Sequence, residues 1–315
     1  MALIDSLKYV IDADTQRAEG NINRLVAAAR KLDGLERYAK QLEAGSTKSA
    51  EAMSKFQAAT AGVTRARTEF QSLSQSIQRT PGGLEKLRGM FASGLGIGTS
   101  VAAAQTLLSV VSQIGTVAVD QIGKAVGAAS NLEQAAGSTR AVFGLASVEV
   151  KSFGKDAAES VGLSNAAFQQ QSAVIGALLQ NLGFTQDAAA DLSIQLVKSG
   201  ADLGATFGRS TADAVLGIGA LLRGEYDTIE KFGVKVKQAD IDARVIKLGL
   251  DTSTQALKNN AQATAALAIF QEQASKSAGA FGDKQDTLLG QQQRFNAELE
   301  NLRAELGEAF LPAMT

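Results

Sequence analysis

Two places in this sequence carry residue types that could do chemistry. Gly94-Leu95-Gly96-Ile97-Gly98-Thr99 has the composition of a loop whose backbone N–H groups cradle a phosphate, and Arg223-Gly224-Glu225 sets a guanidinium two positions from a carboxylate. The first fails on context. No lysine follows in the P-loop arrangement, no convincing strand precedes it and no βαβ unit surrounds it, so nucleotide binding is rejected. The second has a more ordinary use, because an arginine near a carboxylate most often fixes a turn or a helix terminus. The other carboxylates are scattered among Lys and Arg along helix-like stretches, as solvated faces and i,i+4 pairs would place them.

Histidine, cysteine and tryptophan are absent. Thiolate and imidazole zinc sites, disulfides, cysteine nucleophiles and histidine general bases are absent with them. No catalytic residue, metal ligand or cofactor-binding residue is assigned, and the chain is read as something other than an enzyme. The formal net charge is −1, from 31 basic and 32 acidic residues, which argues against a surface that neutralises phosphate along a duplex. Residues 1–88 hold 14 basic and 10 acidic residues, too small an excess to name a nucleic-acid partner.

The elements that must position these residues read as helices. Only two prolines, Pro81 and Pro312, occur, and proline inside a helix costs about 3 kcal/mol, so the sequence between them is free to run helical. The expected fold is mainly α: an N-terminal coiled-coil region over 1–88, an apolar Gly/Ala-rich helical segment over 89–130, and a compact multi-helix module over 131–315. Residues 2–11 lean towards a short strand. From Asp14 onward, Ala18, Ile22, Leu25, Ala29 and Leu32 alternate steps of four and three. The series Phe56, Val63, Phe70, Ile77, with Ala59, Ala66 and Leu73, resumes the seam after a break at Gly45-Ser46-Thr47. A hairpin folded on itself and an intermolecular bundle both fit, and the alanine-rich composition favours self-association through these coiled coils. Thr80-Pro81-Gly82-Gly83 ends the region.

Residues 89–119 are uncharged. That exceeds the roughly 20 apolar residues a bilayer-spanning helix needs, although glycine, serine and glutamine make the segment a conditional rather than a constitutive anchor. Gly94 and Gly98, then Gly123 and Gly127, have the G-x-x-x-G spacing that brings helices together in lipid, and Leu107 and Val111 lie on the apolar run. The alternative is a helix packed in a bundle.

Further on, Gly162-Leu163-Ser164 and Gly183-Phe184-Thr185 each join a helix end to a helix start. Glycine takes the left-handed position, the apolar residue staples the turn, and Ser or Thr caps the next helix. Ser210 with Asp213 is a related cap. The helices expected from this punctuation span 131–143, 147–161, 164–181, 185–202 and 210–222. Gly224 and Gly233 permit turns, Phe232 docks into the module, and Val234 and Val236 form a brief extended stretch before a helix starting at Asp240.

The run from Leu221-Leu222-Arg223-Gly224-Glu225 through Phe232-Gly233-Val234, then Ala263 to Ala274, a break at Phe281-Gly282-Asp283, and a closing Leu306-Gly307 with Pro312, resembles in its order the core segment of phage tail tape-measure proteins. The resemblance covers about residues 131–312. It implies a structural virion protein: a ruler in the tail lumen around which tail-tube subunits polymerise, so that chain length sets tail length. It implies tail-tube, tail-tip and tail-assembly chaperone proteins as partners and the host cytoplasm as the place of assembly. At genome ejection it implies the host inner membrane as a further partner, where residues 89–119 would act. Members of the family are commonly longer and continue past the closing proline, so Met1 to Thr315 is expected to be the N-terminal portion of a larger product. A helical pore-forming toxin shares the coiled coil and the conditional membrane segment. Lysis of membranes by the protein alone separates the two.

Overall fold

The computed structural model describes residues 33–37, 61, 101–284 and 287–308, with only the helical backbone described for 101–120 and 122. The strand expected at 2–11, both heptad series, Pro81, Gly94, Gly98 and Pro312 lie outside the described residues.

Among the described residues all regular structure is helical and no strand occurs. Residues 33–37 are helical. After them come α1 (Val101–Phe143), α2 (Ser147–Lys155), α3 (Ala157–Val161), α4 (Asn165–Asn181), α5 (Gln186–Phe207) and α6 (Thr211–Leu222). The chain continues with α7 (Asp227–Glu230), α8 (Gln238–Lys247), α9 (Gln255–Ala274), α10 (Ala280–Asp283) and α11 (Leu288–Glu308). Two compact units share the first and last helices. Residues 101–131 and 299–308 belong to one, and 132–284 with 287–298 to the other.

The larger unit is arranged around α5, which packs on α2, α4, α6 and α10, while α9 packs on α6 and carries α8. Its core is one cluster that includes Phe143, Phe168, Ile175, Leu179, Leu196, Leu203, Ile218 and Phe270, all almost fully buried. Burying a side chain of this size contributes about 1.5–3 kcal/mol, and the unit combines few large side chains with many alanines. Small residues bring the backbones close. A Cβ on Gly176 would overlap the Phe143 ring, so glycine lets the last aromatic of α1 lie directly on α4.

The punctuation between helices follows side-chain chemistry. Ser164, Thr185 and Ser210 each accept a hydrogen bond from the N–H three residues on, at 3.3, 3.3 and 3.1 Å, and so satisfy a free amide of the following first turn. Gly162 and Gly183 hold φ of 68° and 93°, the left-handed endings that their triplets require.

Four boundaries differ from expectation. The helix expected over 131–143 is the last part of α1, which begins at Val101. The helix expected over 147–161 is two helices. Gly154 is buried against Asn165 and Gln169, and a bend at Asp156 (φ −102°, ψ 4°) turns Ala157, Ala158 and Val161 into the core. The helix expected to end at 202 runs to Phe207, because Gly204 is accommodated where α5 meets the carbonyls of Arg209 and Ser210. The true stop is Gly208, with φ 65°. The helix expected from Asp240 begins at Gln238.

Residues 234–237 form no strand, and Lys237 is extended at φ −105°, ψ 147°. Val234 and Val236 are buried while Lys235 and Lys237 are exposed, so the stretch alternates as a strand would. Its hydrogen-bonding neighbour is a side chain. The Lys235 N–H donates to Gln273 Oε1 at 2.9 Å, and Gln273 Nε2 donates to the Lys235 carbonyl at 2.7 Å.

In the smaller unit, Ala125, Ala128 and Ala129 of α1 and Leu299, Leu302 and Leu306 of α11 are buried. A Cβ on Gly307 would fall on the Ala125 carbonyl and against the Ala129 side chain, so only glycine permits this crossing of α11 over α1. Glu36 accepts from Gln121 Nε2 at 2.9 Å, from Lys124 Nζ at 2.9 Å and from Arg303 Nη2 at 2.8 Å.

Candidate functional site

Arg223, Gly224 and Glu225 form the end of α6. The Glu225 N–H donates to the Ala220 carbonyl at 2.9 Å and the Gly224 N–H to the Leu221 carbonyl at 3.0 Å, with Gly224 at φ 87°. This 6→1 and 5→2 pair is a Schellman ending, in which Gly224 holds the left-handed position and Arg223 and Glu225 flank it. The same bonding closes α4 at Gly183 and α8 at Gly249. Arg223 Nε lies 3.4 Å from Glu225 Oε1, and both side chains are exposed. An exposed pair of this kind contributes between nothing and about 1 kcal/mol.

The second motif stops the short helix α7. Gly233 donates to the Glu230 carbonyl at 2.9 Å and holds φ 72°. A Cβ there would meet the Phe207 ring at 2.6 Å, so glycine leaves room for the tip of that ring against the backbone. The flanking Phe232 and Val234 are buried. The Arg209 guanidinium stands 5.8 Å from the centre of the Phe232 ring, within cation–π range. Burial of Tyr226, at the start of α7, pushes its phenol above the ordinary tyrosine value. Arg223–Glu225 and Phe232–Val234 thus bracket one four-residue helix packed on α6.

Leu306 and Gly307 belong to the smaller unit, where Leu306 is buried and Gly307 makes the α1 crossing. Gly123 and Gly127 lie on an exposed side of α1, and a Cβ on either would meet nothing within 4 Å among the described residues. The buried side of that stretch is Gln121, Ala125, Ala128 and Ala129. Leu107 and Val111 are on the α1 backbone.

A cleft of 330 Å³ opens beside the end of α5, lined by Ala205, Thr206, Phe281, Lys284 and Gly290 among others. Its cation is engaged, since Lys284 Nζ donates to the carbonyls of Ala205 and Thr206 at 3.0 and 3.3 Å, closing the end of α5. Across the same junction the Asp202 carboxylate accepts from the N–H groups of Gly279 and Phe281 at 3.1 and 3.0 Å. A groove of 340 Å³ runs between α8 and α9, and across it Arg244 Nη2 meets Glu272 Oε2 at 2.6 Å.

The sequence does not mark Asp202, Gln273 or Glu36. Each acts across a large sequence separation and carries no local pattern. Among the described residues no cluster of three acidic side chains is placed to hold a metal ion, and no helix is long and apolar enough to cross a membrane. The arrangement terminates helices, seats aromatic rings on glycine and crosses helices closely, and these are mechanical tasks. No family model, curated protein or solved structure matches the chain.

Proposed function

We propose that this chain is a structural component of a phage or prophage tail, acting as a length ruler and scaffold for tail-tube assembly. Its partners in this reading are tail-tube, tail-tip and assembly-chaperone proteins. It occupies the tail lumen in the virion and the host cytoplasm during assembly, and it aids genome passage at the host membrane through residues 89–119. The observation that carries the reading is the order of R-G-E, F-G-V and L-G-x-x-x-x-P along the chain. Its support is mechanical. Each described glycine of that series serves a turn or a helix crossing, as a protein that works through extent and shape requires.

The ruler arithmetic follows from helix geometry. A continuous helix advances about 1.5 Å per residue, so 315 residues span at most about 470 Å, and folding of 132–298 into a compact unit shortens that considerably. Length measurement therefore falls to the heptad-bearing region. An in-frame deletion within residues 18–77, read by electron microscopy of assembled tails, is expected to shorten tails in proportion to the residues removed. Intact tails of unchanged length would refute the ruler.

A further inference from the structure

The connection between α8 and α9 is the least covered part of the larger unit. No residue from 246 to 260 is buried, the longest such run among the described side chains. Ile246, Leu248 and Leu257 stay 80%, 46% and 39% exposed, so even its apolar side chains find little cover, while Leu250 packs against the core cluster. The hydrogen bonds of 251–259 are local. The Ser253 N–H donates to Asp251 Oδ1 at 2.8 Å, the Leu257 N–H to Thr254 Oγ1 at 3.2 Å, the Lys258 N–H to the Thr254 carbonyl at 2.9 Å, and Gln255 Nε2 to Asn259 Oδ1 at 2.8 Å.

A helix end that packs on nothing frays, because ordering a turn costs nearly as much as its own bonds return. The start of α9 is in that position, and the first buried residue of the helix is Ala261. Unwinding 255–259 therefore draws no buried side chain from the core, and one cation, Lys258, stands inside the stretch. Other lysines of the unit are differently placed. Lys151, Lys198, Lys231 and Lys235 each adjoin a buried residue, and Lys247 and Lys276 lie two positions from one, so opening the backbone there disturbs packing. Beyond the frayed end α9 is firmly held. Its Ala265, Ala266, Leu267 and Phe270 share one core cluster with Leu203 and Ile218, and α9 packs on α6 while α10 packs on α5.

We propose that the start of α9 is a processing site, at which an endoprotease that cuts after lysine opens the chain without dismantling the fold. Water adds across the Lys258–Asn259 peptide bond, leaving a carboxylate on Lys258 and an ammonium on Asn259, and no other reactant is consumed. Exposed polar connections of this kind are where chains accept a nick. The piece that ends at Lys258 keeps α2 to α8, the piece that begins at Asn259 keeps the buried length of α9 with α10 and α11, and the shared core holds the two together. The site goes beyond the tail reading and does not depend on it.

Limited trypsin digestion of the full chain under native conditions, with fragments identified by mass spectrometry, tests this. Among the bonds between residues 132 and 298, the one after Lys258 is expected to be cut at least about tenfold faster than those after Lys198, Lys231 or Lys276, because cleavage follows the population of opened backbone. The nicked protein is expected to elute as one species on gel filtration, to keep its helical circular dichroism, and to come apart in urea. Moving the lysine one turn along α9, in the double variant Lys258→Gln with Gln262→Lys, sets it between the buried Ala261 and Ala263. Cutting after position 262 is then expected to be at least about tenfold slower than cutting after Lys258 in the wild type. Earlier cleavage after Lys198, Lys231 or Lys276 would overturn the proposal. So would equal rates at 258 and 262, or separation of the pieces with loss of helicity as the bond is cut.

Discussion

Gly224 and Gly233 share a left-handed backbone but not their surroundings. A Cβ on Gly224 would come no nearer than 3.9 Å to the Tyr226 hydroxyl, whereas one on Gly233 would strike the Phe207 ring. Alanine at 224 is expected to cost about 1 kcal/mol, the strain of the left-handed conformation alone. At 233 the displaced ring adds about 1–3 kcal/mol to that strain. Urea unfolding of the two variants checks the order. Glu149 yields a pH prediction. Its raised value means that the folded protein holds the proton where the unfolded chain has already lost it. Its own contribution to stability is therefore fully present below the ordinary glutamate value and is lost as pH rises through the raised value, opposite in sign to the contributions of Asp251 and Glu272, whose values are lowered. The difference in melting temperature between the wild type and Glu149→Gln, followed across a pH series, should show that decline.

At the scale of elements, the joint between α5 and α10 is held by groups far apart in sequence. Asp202 binds the first amides of α10, and Lys284 binds the last carbonyls of α5. Asp202→Ala is expected to lower stability by about 1 kcal/mol and to speed hydrogen exchange at Gly279 and Phe281, leaving the Ala167 amide at the Ser164 cap unchanged. The contrast between these caps shows what the sequence made legible. Ser164, Thr185 and Ser210 act three residues away, so their spacing announces them, and the helices between them were placed to within a few residues. Gly224 and Gly233 were legible as turns for the same reason. Asp202 serves amides 77 and 79 residues on, and no local pattern marks it. The bend at Asp156 was missed because it answers to the burial of Gly154 against α4. The F-G-V segment reads as a turn, but the Phe207 ring against it comes from a helix whose sequence suggests a stop at 202.

Over the whole molecule, the fold class read from composition holds among the described residues, which are helical throughout their regular structure. Division into units was harder to foresee, since α11 changes unit at Leu299 within one uninterrupted helix. In the smaller unit Glu36 gathers Gln121, Lys124 and Arg303, with the Glu36 and Arg303 side chains each only 15% exposed. Glu36→Ala is expected to destabilise that unit by about 2 kcal/mol, the loss of charge-assisted hydrogen bonds. Hydrogen exchange should then quicken in 124–131 and 299–308, while the amides of Phe168 and Ile218 stay protected. The pairing of Gln273 with Lys235 reaches furthest. Residues 234–237 alternate as a strand does, and an unpaired strand edge templates its own kind. By filling both hydrogen-bonding positions of Lys235 with one carboxamide, the fold denies that edge to a neighbouring chain and so guards against fibril growth.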